Sequence, residues 1–360
     1  MGTKGLNTID PRSLLRSDST TCGCLIVSGF LSGIIVWLLV SLLIVTWYAR
    51  MGAQALERAR VDQDLSTQNA IAYFERAVRW APSDPWLQRW LAHAYKLQGQ
   101  HDKALRMLEH AHHLQPDSLL ITYELASAYC RNDRPDQAIV LYQALGISTQ
   151  RLFESADKEL LLGKPDKALE TYLDAVCLAG GYDKPVAFRI GVAAAAVQDP
   201  QAPGWLEYAG FDLAAQTYAS EPTTLRIEVE DLHYLFDESI EHDGRPLTDW
   251  PSHDPSIGAL WWSGTAVAFV SSETIKPYVL RLRAQHPRPP VEYAVVVNGV
   301  TIQQFAYDRA DDSWEENSAV VQLRGGLNVV GIRLVDGTYS AHGDRNGFVD
   351  WITLTPLADS

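Results

Sequence analysis

Hydrophobic residues follow three different patterns along this chain. Residues 25 to 47 contain no charged side chain, and a helix of that length spans roughly 34 Å, enough to cross a hydrocarbon core of about 30 Å. Apolar residues then recur at helical spacing as far as about residue 180. From Leu225 onward, short β-branched segments alternate with turn residues. The chain is therefore predicted to be multidomain, with a single transmembrane helix, a helical region and an all-β region.

The apolar run is longer than the core of a cleaved signal peptide, which has about 7 to 15 residues. It ends at Trp47, Tyr48 and Arg50, residue types that suit the boundary between membrane and water. We predict an uncleaved, single-pass signal anchor over residues 25–47, with residues 1–24 in the cytoplasm and the C-terminal domains outside it. Gly29 and Gly33 form a GxxxG pair that favours a homo-oligomer, although small residues are also common in membrane helices.

The four cysteines give two further expectations. Cys22 and Cys24 lie just before the span, where they are placed for acylation at the membrane surface. Cys130 and Cys177 fall in helical segments and are predicted to be buried, small apolar residues. The spacing shows neither a disulfide framework nor a metal-binding pattern.

A period of 34 residues organises residues 54–180. Leu91-Ala92-His93-Ala94-Tyr95 recurs as Leu125-Ala126-Ser127-Ala128-Tyr129, and Asp102-Lys103-Ala104 recurs as Asp136-Gln137-Ala138. This period, with small residues where paired helices touch, resembles the tetratricopeptide repeat. The resemblance implies an α-solenoid of helical hairpins whose groove holds a protein partner. With so few repeats, a rigid spacer is the competing interpretation.

Residues 181–220 are predicted to form a helical connector, because Pro and Gly punctuate an Ala-rich segment, and the domain boundary is placed near Glu221. Beyond it, residues 221–360 are predicted to form a β-sandwich of the jelly-roll kind. The predicted strands are 225–230, 266–270, 278–284, 293–297, 318–323, 329–334 and 349–354, with a turn at Asn298-Gly299.

The order of short motifs in this region carries a second resemblance. Ile227-Glu228-Val229-Glu230 is followed by Tyr278-Val279-Leu280-Arg281-Leu282-Arg283-Ala284, Val297-Asn298-Gly299, Trp314, Leu323-Arg324-Gly325-Gly326-Leu327-Asn328 and Val349-Asp350-Trp351-Ile352-Thr353-Leu354. This order resembles carbohydrate-binding modules of families 6 and 35, which are galactose-binding-type β-sandwiches. It implies a structural Ca²⁺ held by Glu228, Glu230 and Asp350, since hard oxygen ligands suit calcium. Solvent-facing residues of an edge strand are the alternative interpretation.

The same resemblance implies a glycan site in which aromatic rings stack on sugar faces. The candidate rings are those of Trp250, Trp261, Trp262, Trp314 and Tyr339, and Asn346 or Asp344 would supply hydrogen bonds. Phe348 stands where many relatives carry Asn, so this chain lacks the side-chain amide that usually contacts the ligand. Trp262 and Trp314 also fit a role in the sandwich core.

Charge and motif content exclude other classes of function. The net charge of -14 disfavours nucleic acid, because no basic stripe is available to neutralise phosphates. Carboxylates at Asp249, Asp254, Asp311, Asp312, Glu315 and Glu316 are numerous enough for a glycosidase pair. They fall, however, in loops of a small domain, and the chain contains no nucleophile elbow, phosphate loop or zinc motif. We therefore expect no enzymatic activity.

The leading hypothesis is a membrane-anchored, non-enzymatic scaffold at the cell envelope. Its repeats would bind a protein partner and its sandwich would bind a glycan. The alternative is a structural subunit of a membrane assembly whose sandwich contacts proteins and binds no sugar. A third hypothesis is an accessory to an enzyme that builds polysaccharide or cell wall.

Overall fold

The long apolar segment lies within one uninterrupted helix, α1 (Asp18–Ala59). The computed structural model describes residues 18–59, 63–219, 224–235, 258–260, 264–285, 291–307, 314–335 and 347–357. Within these residues, Ile34–Arg58 is long and apolar enough to cross a membrane by length and composition. The last turns of α1 bury Ala55 and Leu56, so the helix continues past the predicted span and forms half of the first hairpin.

The chain divides into two compact units, Met1–Leu145 and Gly146–Ser360. The first unit contains α1 and five further helices, which pack in sequence as antiparallel hairpins. Small residues where the helices touch are completely or almost completely buried, as the sequence pattern predicts; these are Ala70, Ala77, Ala92, Ala94, Ala104, Ala111, Ala126 and Ala138. The helices are α2 (Gln63–Trp80), α3 (Pro85–Leu97), α4 (His101–Leu114), α5 (Leu119–Arg131) and α6 (Pro135–Ala144).

The 34-residue period is visible in hydrogen bonds as well as in helix positions. The Tyr95 hydroxyl donates to Glu75 Oε1 at 2.7 Å, and the Tyr129 hydroxyl, 34 residues later, donates to Glu109 Oε1 at 3.1 Å. Burial, followed by the bond to Glu75, raises the pKa of Tyr95 to about 12. Burial and the neighbouring Glu109 also raise the pKa of Tyr129. Each repeat thus places one tyrosine against a carboxylate of the preceding helix.

The second unit begins with four more helices and one short turn of helix. These are α7 (Thr149–Leu161), α8 (Pro165–Ala179), α9 (Lys184–Ala196), α10 (Ala202–Ala209) and α11 (Leu213–Gln216). Arg189 of α9 donates to Asp157 of α7 at 2.5 Å, and the Tyr172 hydroxyl of α8 donates to the same carboxylate at 2.5 Å. The partly buried Asp157 carboxylate therefore links three consecutive helices.

Eleven strands are described, and all belong to two sheets. They are β1 (Thr217–Ala219), β2 (Leu225–Glu228), β3 (His233–Leu235), β4 (Gly258–Leu260), β5 (Thr265–Ser272), β6 (Lys276–Gln285), β7 (Val291–Val297), β8 (Val300–Tyr307), β9 (Glu315–Leu323), β10 (Gly326–Leu334) and β11 (Gly347–Pro356). The first sheet has the order β1-β5-β10-β7-β8, with β3 also paired to β5. The second has the order β2-β11-β6-β9, with β4 also paired to β11. The predicted fold class is confirmed.

The inner faces of the two sheets form a continuous apolar core, which includes Tyr234, Tyr278, Leu280, Tyr293 and Ile352. The outer face of the first sheet is also apolar. Leu235, Val267, Phe269 and Val329 on this face belong to one buried cluster with residues of α7 to α10. Phe188 of α9 meets Phe269 edge-on, with ring centroids 6.4 Å apart. Consequently, every residue from Val186 to Ala196 is buried, because α9 has helices on one side and the sheet on the other.

Three local features differ from the sequence predictions. The strand predicted over residues 225–230 ends at Glu228, and Val229–Asp231 form a turn of 3-10 helix. Glu228 and Glu230 therefore do not project from one strand. Strand β1 begins at Thr217 and pairs in parallel with β5, a few residues before the boundary placed near Glu221. Cys130 and Cys177, expected to be buried apolar residues, are half-buried and disulfide-bonded.

Candidate functional site

The first helices of two successive repeats, α3 and α5, expose aromatic and apolar side chains at equivalent positions. Trp86 and Trp90 lie one turn apart on α3, and 43% and 38% of their surfaces are exposed. Leu120 of α5, 34 residues after Trp86, is 44% exposed. Exposed large apolar side chains that cluster in this way mark interaction surfaces. We name the set Trp86, Arg89, Trp90, Leu120 and Glu124 the α3–α5 face.

Arg89 holds this face together. Its guanidinium carbon lies 5.6 Å from the centroid of the Trp86 ring and 5.1 Å from that of Trp90. Its Nε and Nη2 atoms donate to the two carboxylate oxygens of Glu124 at 2.8 and 2.7 Å. A bidentate pair of this kind fixes the orientation of both side chains. The indoles are therefore held in place before any partner arrives.

The phenyl ring of Phe74 supports the face from below. The ring of Trp90 stacks on that of Phe74 at 6.3 Å with an interplanar angle of 9°, and Phe74 itself is buried. The sequence analysis predicted a binding groove in the repeats, but it named none of the five residues of the α3–α5 face. The signal that was available is the recurrence of large apolar residues at Trp86 and Leu120, one period apart.

The three predicted calcium ligands are all described, and the structure gives two of them arginine partners. Arg226 donates to Glu228 through Nε at 2.5 Å and through Nη2 at 3.1 Å. Arg283 donates to Asp350 Oδ2 at 2.6 Å. Glu230 lies in the 3-10 turn and is exposed. Within the described residues, no group of three His, Cys, Asp or Glu side chains is placed to hold a metal ion. Calcium binding by Glu228, Glu230 and Asp350 stays a prediction.

Two of the predicted site residues do come together, through an arginine that sequence reasoning missed. Asp350 lies where the register between β11 and β6 shifts, and a bulge of this kind redirects a side chain. Arg283 of β6, bonded to Asp350, also lies with its guanidinium carbon 5.4 Å from the Trp314 ring centroid. Trp314 is half-buried. Trp314, Arg283 and Asp350 thus form a polar, aromatic group at the edge of the second sheet.

The other predicted glycan contacts lie outside the described residues. They are Trp250, Trp261, Trp262, Tyr339 and Asn346, together with Asp344. They remain predictions.

The motifs around Asn298 and Asn328 have a structural role. Asn298 and Gly299 form the tight turn between β7 and β8, and both have positive φ, of 50° and 78°. The buried Asn298 amide donates to Asn328 Oδ1 at 2.9 Å. Asn328 in turn donates to the Arg324 carbonyl at 2.8 Å and accepts from the Arg324 amide at 2.9 Å. The hairpin turn between β7 and β8 and the connection between β9 and β10, which crosses from one sheet to the other, are therefore linked by one satisfied polar network.

Comparison with known proteins agrees with the geometry of the helical region. A family model described as a tetratricopeptide repeat matches residues 66–111 and 97–156. A search of the curated proteins gave no match.

Among solved structures, the chain is similar to a GH26-CBM35 β-(1,4)-mannanase of Podospora anserina, with 24% identity over 39% of this chain and a TM-score of 0.27. The match spans 29% of that mannanase chain. A family 35 carbohydrate-binding module of Clostridium thermocellum is 13% identical over 37% of this chain and 98% of its own, with a TM-score of 0.27. MamA of Desulfovibrio magneticus RS-1 is 15% identical over 46% of this chain and 93% of its own, with a TM-score of 0.29. Residues 66–156 of this chain therefore carry tetratricopeptide repeats, and its C-terminal region is a two-sheet sandwich.

Proposed function

We propose that this chain is a membrane-anchored, non-enzymatic recognition protein whose first unit binds a protein partner on the α3–α5 face. The observation that carries the proposal is the pair of exposed indoles, Trp86 and Trp90, held by the bidentate contact between Arg89 and Glu124. Tryptophan and arginine dominate the binding energy of protein interfaces. Side chains fixed in advance lose less conformational entropy on binding, which favours affinity.

The test is site-specific photo-crosslinking in native membranes, with the crosslinking residue at position 120 of the full chain. We expect one dominant adduct, reduced at least tenfold by Trp86→Ala combined with Trp90→Ala. Leu97→Ala on the same helix is the matched control, since Leu97 is 50% exposed and lies outside the face. An adduct of equal yield in all three proteins would contradict the proposal.

For the sandwich, the proposal is glycan binding at the group formed by Trp314, Arg283 and Asp350. A sugar ring stacked on Trp314 would remove apolar surface from water, and the guanidinium and carboxylate would be available to sugar hydroxyls. A thermal-shift measurement on the full chain with a panel of oligosaccharides tests this. We expect stabilisation by at least one sugar, lost in Trp314→Ala and kept in Val320→Ala, an exposed position of β9. No response to any sugar would favour the alternative, a structural subunit of a membrane assembly.

The proposed location of both units is outside the cytoplasm, at the cell envelope. The disulfide-bonded state of Cys130 and Cys177 supports it, because disulfides persist in oxidising compartments and are rare in the cytosol. Thiol labelling of cells, before and after reduction, measures this directly. Both cysteines should be labelled only after reduction, and labelling without reduction would place the body of the protein in a reducing compartment.

A further inference from the structure

We propose that the first helical hairpin lies against the bilayer surface, through an interfacial contact made by α2 in addition to the span itself. This inference rests on the proposed membrane anchoring by α1. The contact consists of aromatic and arginine side chains from both helices, which we name the two-helix belt: Trp47, Tyr48, Tyr73, Arg76, Arg79 and Trp80.

The belt begins where the predicted span ends. The Trp47 and Tyr48 rings lie 4.9 Å apart, and Tyr73 of α2 packs on both, with ring centroids 6.1 Å from Trp47 and 6.4 Å from Tyr48. The Arg76 guanidinium carbon lies 6.0 Å from the Tyr48 centroid. Tryptophan and tyrosine concentrate at the membrane–water boundary because they present an apolar body and a polar tip. Residues of α2 thus join the boundary residues of α1.

The depth of the belt follows from how α1 and α2 cross. They pack closely at Gly52, where an added Cβ would lie 2.8 Å from the Phe74 ring, so these two positions lie at about the same level. Because the helices are antiparallel, Arg79, five residues after Phe74, lies level with Trp47, five residues before Gly52. Trp80 lies roughly 1.5 Å deeper. The C-terminal end of α2 therefore reaches the level at which the predicted span meets water.

The side chains at that end are free to meet lipid. Trp80 is 47% exposed, and Arg76 and Arg79 are exposed beside it. Tyr73, Arg76 and Trp80 recur at helical spacing and share the side of α2 that faces Trp47 and Tyr48. Exposed indoles with arginines match a lipid surface, where the rings enter the boundary layer and the guanidinium groups meet phosphates. The occupant that fits this face is the headgroup layer of the bilayer in which α1 lies.

The experiment places a depth-sensitive fluorophore on the full chain, reconstituted in vesicles of phosphatidylcholine and phosphatidylglycerol. Cys22→Ser and Cys24→Ser remove the thiols near the span, and Trp80→Cys supplies the labelling site. Ser83→Cys, in the following turn, is a second site that leaves Trp80 in place. Leu97→Cys is the matched control, because Leu97 is about as exposed as Trp80 but lies at the other end of α3, roughly 16 Å along the helix from Trp86.

We expect lipids spin-labelled near the headgroup to quench the fluorophore at positions 80 and 83 at least threefold more than at position 97. Equal quenching at all three positions overturns the inference. Anchoring itself is measured in the same samples by alkaline carbonate extraction. A chain that stays in the pellet without preferential quenching refutes only the surface contact, whereas a chain released into the supernatant refutes the proposed anchoring as well.

Discussion

The two compact units use the same helical hairpin in opposite ways. In the first unit, α3 and α5 keep one face open, with Trp86, Trp90 and Leu120 exposed. In the second unit, α9 is buried from Val186 to Ala196 between helices and a sheet. A hairpin that is covered on both sides contributes to rigidity, and one that is open on one side is available to a partner. Recognition by helices is thus expected in the first unit, while the helices of the second unit support the sandwich.

Removing the helices of the second unit should cause the largest loss of stability. A fragment of residues 213–360 keeps every described strand but loses α7 to α10, which exposes Leu235, Val267, Phe269 and Val329. At about 1.5 kcal/mol or more for each large side chain, the loss is on the order of 6 kcal/mol, comparable to the stability of a whole domain. We expect thermal unfolding about 15 °C below that of residues 146–360. Equal melting temperatures would show that the sandwich is independent of its helices.

Disrupting the buried asparagine network has the next largest expected effect. Asn328→Ala leaves the Asn298 amide and the Arg324 backbone groups without their partner, and each unsatisfied buried polar group costs about 1–3 kcal/mol. We expect a loss of about 3 kcal/mol in chemical denaturation of residues 146–360. Gln322→Ala, exposed on β9, is the control and should change stability by less than about 0.5 kcal/mol. A loss no larger than that of the control would mean that the turns are not coupled.

Two glycines of neighbouring helices provide a matched test of the close packing around α9. An added Cβ at Gly191 of α9 would lie 2.6 Å from the Leu206 side chain, whereas one at Gly204 of α10 meets no atom within 4 Å. Gly191→Ala should therefore destabilise residues 146–360 by about 1–3 kcal/mol through overpacking. Gly204→Ala should stabilise them by up to about 1 kcal/mol, because alanine favours helix. The same sign for both substitutions would contradict the close packing assigned to α9.

The smallest expected effect concerns alkaline pH and the first unit. Because the pKa of Tyr95 is raised to about 12 in the folded chain against about 10 for an unperturbed tyrosine, its protonated form stabilises the fold. That contribution is complete below pH 10 and is lost as the pH rises toward 12. Tyr95→Phe should make helix unfolding, followed by circular dichroism of the full chain in detergent, less dependent on pH in this window. Glu75→Gln should shift the loss of stability to lower pH, toward pH 10. Unchanged profiles in both variants would exclude this contact as the cause.

Local patterns in the sequence predicted the helices and most strands well. The 34-residue period fixed Ala92, Ala104 and Ala126 at helix contacts, because repeat packing recurs with the chain. Strands β6 and β9 followed from alternation, which reports one buried face, and β5 and β10 followed from short β-branched segments that are buried on both faces. Strand β8 was missed although Asn298-Gly299 correctly marked the turn before it.

Features that depend on distant residues were not predictable. Arg89 and Glu124 pair only because two repeats stack with a particular offset. Arg283 meets Asp350 because a bulge in β11 redirects one side chain, and no periodicity encodes that. Glu230 was assigned to a strand from the sequence pattern, whereas the structure places it in a 3-10 turn. The packing of α9 against the sheet was not predictable from the sequence. A helix that is buried on all sides has no polar face, so its pattern does not show which side meets which neighbour.

The unbroken course of α1 has a mechanical consequence. Since one helix runs from Asp18 to Ala59 and Gly52 packs directly against Phe74, the predicted span continues without a break into the first hairpin. Any rotation of the predicted span about its axis would therefore rotate α2 through the same angle. Two copies paired through their predicted spans would accordingly hold their first hairpins in a fixed relative orientation.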